Sequence, residues 1–295
     1  MINQAATATS DHLAIANLIS AFNKKHPETY AECVDTLLEM LRTHFPSLTH
    51  ETNPVMTNLD AWNADDLAFL LVEYSGWLNE TIHIFLEARI RIYWESVRKE
   101  IERNVGEEMG DLTAGVPHLE LMRQGYFKDL GVETDNADHS LITKDFINKM
   151  RQVFKHKDNA FLAGALLGFE AVATEEFKVA NTFLRRRKTL LGSEIGTGSL
   201  TGIYIAGHVS AEGEGVHPED LHSEGMRQSI EPHINAQNIH KFIKGFFSTC
   251  LNINIWWERL AVEIFHQKVN REELTVTDAE IVDIDGLLKR KSAHS

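Results

Sequence analysis

Cysteine, proline and long apolar runs are all scarce in this chain, and each scarcity closes off a class of protein. Its two cysteines in 295 residues, Cys33 and Cys250, stand far apart in helical, partly apolar surroundings. That excludes a disulfide framework and fits thiols kept reduced. No apolar run reaches the ~18 residues a membrane-spanning helix needs. The opening M-I-N-Q-A-A-T-A-T-S also lacks the basic region and apolar core of a secretion signal. Basic residues are outnumbered, 29 against 43 acidic, and the net charge of −14 repels nucleic acid and anionic membranes alike. The run Arg185-Arg186-Arg187-Lys188 is expected to be the solvated end of a helix, where cations suit the dipole. The expectation is a soluble, cytoplasmic protein with no nucleic-acid or membrane partner.

Six prolines and few alternating apolar/polar stretches point to helix throughout. Apolar residues recurring at three and four predict two helices between Ser10 and Phe45, broken near His26-Pro27. A turn-rich loop follows over 46–62. Asn63, with Asp66 three residues on, caps a predicted long helix to about Asn104. Further helices are expected from Pro117 to Leu130 before Gly131, Thr143 to Phe154, Asn159 to Leu191 before Gly192, and Ile230 to Val269. A short capped helix is expected from Thr277. The segment Gly192–Gly202 follows a helix and lacks dinucleotide-loop spacing, so it reads as a connector. The organisation expected is one all-α domain over 1–295, with N-terminal helices in 1–55, a metal-binding bundle in 62–270 and a tail in 271–295.

Three places carry metal-ligand chemistry. The stretch I-A-G-H-V-S-A-E-G-E-G-V-H-P-E-D-L-H holds His208, His217 and His222 among carboxylates, and His208 and Glu212 would share a helix face. Imidazole with carboxylate suits iron, manganese or zinc. In N-V-G-E-E-M-G-D-L-T-A-G-V-P-H-L, Glu107 and Glu108 close one helix and His118 opens the next, so a carboxylate and an imidazole can converge across the turn. In A-L-L-G-F-E-A-V-A, Glu170 sits in the most apolar stretch of the chain, where a buried carboxylate must be matched, and a cation is a natural partner.

Taken in order, E-E-M-G, V-P-H-L-E-L, L-L-G-F-E and G-H-V-S-A-E resemble the haem-oxygenase-like diiron oxidases and oxygenases, the superfamily of the CADD-like and PqqC-like proteins with a TenA-type helical fold. The resemblance runs from about Trp62 to Leu260 and implies a haem-oxygenase-like multi-helix bundle. It implies two Fe(II) ions per chain, held by Glu108 (or Glu107), His118, Glu170, His208, Glu212 and His217, with His222 competing for the last position. Two departures stand out: Glu212 replaces the usual Asp, and His217 lies five residues beyond Glu212, about 140° out of phase on a regular helix. Gly213 and Gly215 would let the backbone leave helical geometry there.

The activity so implied is that of a metal-dependent oxidoreductase in specialised metabolism, such as natural product biosynthesis. With O2 as co-substrate it would cleave, decarboxylate, desaturate or N-oxygenate a small amino-acid-like or fatty-acid-like substrate, with a homodimer as a candidate assembly. Tyr74, Trp77, Phe169 and Tyr204 are candidates for the pocket wall. The alternatives are a cofactorless PqqC-like enzyme, a thiaminase-like enzyme with a cysteine nucleophile, or a metal-free helical protein-interaction protein. A haem oxygenase would need an axial histidine on the first helix, where only His12 and His26 stand, neither in an apolar setting.

Overall fold

A computed structural model describes residues 4–111, 113–208 and 218–272. Ten α-helices and three short 3-10 turns carry them, and no strand occurs among the described residues. The helices are α1 (Gln4–Asn23), α2 (Tyr30–His44), α3 (Ala64–Arg91), α4 (Glu95–Glu108) and α5 (His118–Leu130). They continue with α6 (Leu141–Phe154), α7 (Asn159–Leu190), α8 (Leu200–His208), α9 (Pro218–Ile230) and α10 (Ile239–Glu272). The all-α expectation holds, and the helix expected from Thr277 lies outside the described residues.

Local chemistry sets most of the boundaries. Asn63 accepts from the backbone N–H of Asp65 and Asp66 while Asp66 reaches back to the Asn63 N–H, a full capping box at the start of α3. Thr29 and Glu32 do the same for α2, and the Asp158 carboxylate caps α7. Gly131, at φ 63°, ends α5 in the left-handed region that glycine tolerates.

Three expectations are corrected. The long helix from Asn63 is two helices, because the chain turns extended at Ile92 and Trp94 and the freed Tyr93 N–H donates to Asn159 Oδ1 at 2.8 Å. The last long helix begins at Ile239, not Ile230: a 3-10 turn over Glu231–His233, with Pro232 in it, and a turn stapled by Asn235 and Asn238 separate it from α9. Arg187 is buried rather than solvated. Its guanidinium donates to the Leu130 and Ala64 carbonyls, tying the end of α5 and the start of α3 to α7.

The two longest helices, α7 and α10, pack against each other at the centre. Gly164 and Gly168 of α7 face the Phe242 and Phe246 carbonyls, and Gly245 of α10 faces the Phe161 carbonyl, so side-chain-free positions let the two backbones touch. Around this pair one continuous hydrophobic cluster runs from Phe22 to Ile264. Its aromatic heart stacks Phe146 on Trp256 at 4.7 Å and Tyr74 edge-on to Phe183 at 5.5 Å. Helices α3, α4, α5, α7, α8 and α9 together line a cavity. No helix among the described residues is long and apolar enough to cross a membrane.

Candidate metal centre

The site starts at a tight turn. Helix α4 ends at Glu108, and Gly110, at φ 110°, lies so close to the Gly115 and Val116 backbone that a Cβ would sit 2.8 Å from it. Only glycine fits both the angle and the approach. The chain therefore doubles back at once, and His118, the first residue of α5, faces Glu108 with Nδ1 3.5 Å from Oε2. Helix α8 supplies the third group. His208 comes off its last described residue, 4.7 Å from His118 between ring centroids and edge-on to it. A Cβ at Gly207 of α8 would lie 3.6 Å from the His118 ring, so α8 passes close beside it.

One ligand atom each from Glu108, His118 and His208 lie within 4.8 Å of one another, a spacing one ion could bridge. Both imidazoles are buried, and the His208 ring is fixed by parallel stacking on Phe177, 4.0 Å away with 5° between planes. His118 Nε2 has no hydrogen-bond partner among the described residues, and Nδ1 has only its 3.5 Å approach to Glu108 Oε2. Leaving a buried polar group unmatched costs about 1–3 kcal/mol. Burial pushes the Glu108 carboxyl up, but the facing imidazoles of His118, His208 and His222 outweigh it and hold the carboxyl below its usual range.

Glu170, from the middle of α7, lines the same cavity, and Asn104 Nδ2 donates to its Oε1 at 2.6 Å. The cavity, about 50 Å³, is walled elsewhere by Trp77, Leu78, Ile82, Phe85, Phe169 and Phe177. Trp77, Phe169 and Tyr204 thus reach it as expected, whereas Tyr74 sits in the aromatic core. The neighbouring glutamates leave α4 in different directions. Glu108 joins the two imidazoles, while Glu107 turns to Arg103 and to His222, whose Nε2 is 2.6 Å from Glu107 Oε2. His222 also lines the cavity. Glu212 and His217 lie outside the described residues.

Among the lining residues that escaped the sequence reading, Asn104 and Glu176 carry polar groups into the site. Asn104 stands one helical turn before Glu108 and is found by following that face of α4. Glu176, buried and accepting from Trp77 Nε1 at 3.0 Å, gives no local signal, because its partner is on another helix.

Residues 32–263 match the domain family DUF3865, a domain of unknown function with a solved structure. The chain belongs to this family. Among curated proteins, none matches. Two crystal structures of a CADD-like protein of unknown function from Nostoc punctiforme PCC 73102, at 2.00 and 1.35 Å resolution, are similar to it. They superpose with TM-scores of 0.72 and 0.71 at 22% identity, covering 80% and 84% of this chain and 98% and 99% of theirs. At that identity the DUF3865 chain shares their fold, the haem-oxygenase-like helical bundle of CADD-like proteins.

Proposed function

We propose that this DUF3865 protein is a non-haem diiron oxidase or oxygenase. In this reading Fe(II) is held by Glu108, His118, Glu170, His208, Glu212 and His217, and O2 is the co-substrate. The observation that carries the reading is the convergence of Glu108, His118 and His208 in a cavity shared with Glu170, with Nε2 of the buried His118 lacking a hydrogen-bond partner among the described residues. Such a nitrogen and carboxylate donor set suits iron, manganese or zinc, and the resemblance of the sequence to the diiron oxidases favours iron.

Bound iron would supply the one-electron chemistry by which O2 is activated. The chain's own residues do the rest. Glu108 and Glu170 contribute negative charge in a largely apolar enclosure, where it acts strongly. Asn104 pins one oxygen of Glu170, and Phe177 fixes the plane of His208, so the donors are held in place before anything binds. The apolar wall excludes water and takes the carbon body of a small amino-acid-like or fatty-acid-like substrate. The reaction class is oxidative cleavage, decarboxylation, desaturation or N-oxygenation.

A thiaminase-like activity would need a cysteine at this cavity. Neither Cys33 nor Cys250 lines it, and burial pushes the Cys33 thiol up to about 12. Metal analysis of protein purified without air, followed by absorbance on admitting oxygen, tests the proposal. A pair of irons per chain and an oxygen-dependent spectral change support it. Zinc alone, or no metal after reconstitution with Fe(II), refutes it.

A further inference from the structure

The cavity also carries polar groups that the proposed ligand set does not use. Glu176 is a buried carboxylate outside the proposed ligand set, yet it lines the same space. Among the described residues no lysine or arginine lines that space. Asn104 adds a second acceptor. Its amide nitrogen is used on Glu170, and its Oδ1 is buried with no hydrogen-bond partner among the described residues, in a side chain 1% exposed. A buried acceptor left empty calls for a donor.

The rings beside these acceptors point the same way. Trp77, which donates its indole N–H to Glu176, packs 5.6 Å from Phe169, and Phe169 packs edge-on to Phe85 at 5.2 Å. All three rings line the cavity. Aromatic faces attract a cation through their quadrupoles, and carboxylate beside aromatic rings is the chemistry that recognises an organic ammonium. A ligand carboxylate, in contrast, would be repelled at Glu176 and Asn104 Oδ1, with no lysine or arginine among the described lining residues to receive it there.

We propose that the cavity binds a substrate by a protonated amine, with Glu176 and the Asn104 carbonyl oxygen receiving the ammonium and the Trp77–Phe169–Phe85 wall holding its carbon chain. This rests on reading the cavity as the substrate site, and it narrows the substrate to the amine-bearing class. It does not depend on iron.

The test uses the full chain stripped of metal at pH 7.5, with n-butylamine hydrochloride and sodium butyrate as probes at equal ionic strength. At tenfold excess over its Kd, the amine is expected to raise the thermal midpoint by about 2–5 °C, and butyrate is not. Glu176→Gln keeps an acceptor for Trp77 but removes the charge, and it should abolish the amine shift while circular dichroism stays unchanged. If that variant fails to fold, Ala173→Leu, which fills the cavity from α7, should abolish the shift instead. A larger shift with butyrate, no shift with either probe, or an amine shift that survives a folded variant overturns the proposal. Because the protein is metal-free throughout, these outcomes are independent of the iron stoichiometry that decides the diiron reading.

Discussion

Replacing Gly164 by alanine should destabilise the whole molecule, although alanine is the better helix former. A Cβ at Gly164 would lie 1.8 Å from the Phe242 carbonyl oxygen and 2.7 Å from its carbon. Ordinary carbon contacts are about 3.5 Å, so α7 and α10 would have to separate by well over an ångström along their tightest contact. The propensity gain is about 1 kcal/mol. Overpacking a well-filled core costs about 1–3 kcal/mol or more, and a clash with backbone, which cannot rotate away, belongs at the top of that range. The expected net loss is about 2 kcal/mol. With a urea m-value of about 3 kcal/mol/M, the unfolding midpoint should drop by about 0.7 M. Gly245→Ala is the reciprocal case, with its Cβ 1.9 Å from the Phe161 carbonyl oxygen, and should behave alike. Gly196→Ala is the control: nothing lies within 4 Å of its Cβ position, so it should lose no stability. A Gly164→Ala protein as stable as the parent would refute the claim that these backbones touch.

Three other outcomes are expected. Glu170→Ala should lower iron occupancy while the helical circular dichroism is kept; unfolding with metal absent would instead make Glu170 a structural partner of Asn104. His217→Ala should lose iron, and His222→Ala, whose side chain is engaged by Glu107, should retain it; the reverse result, read by iron stoichiometry, would exchange the two. At Asp158, burial pushes the carboxyl up, but Lys241 and the Ala160 and Phe161 N–H groups outweigh it, so the folded-state pKa lies below the usual value. Its stabilisation is therefore present above the ordinary carboxylate range and lost as pH falls through the lowered pKa. Asp158→Ala should cost about 1–2 kcal/mol near pH 7, shrinking toward zero in acid, and equal losses at both pH values in urea titrations would contradict this.

Much of the fold was legible because its boundaries are local. Asn63 with Asp66, Gly131 and the charged turn before Asn159 each act within a few residues, and the helices begin or end there. The break at Tyr93 was not legible, because the side chain that receives its N–H, Asn159, lies far along the chain. Arg187 misled for the same reason: in sequence it is one cation in a run of four, and only the meeting of α3, α5 and α7 makes it a buried staple. At the site, the residue types could be read from the chain, but the choice of Glu108 over Glu107 depends on which way two adjacent side chains leave the last turn of α4.

The turn at Gly110 also divides the donor set in time. Glu108 and His118 are joined by so short a segment that they can meet on the loop-closure scale of about 10–100 ns, long before the chain has a core. Glu170 and His208 reach them only through the packing of α7 and α8 against α5, contacts between segments far apart in the chain. The cavity is thus assembled as a fast half and a slow half, and a nascent chain carries a carboxylate–imidazole pair well before it carries a site.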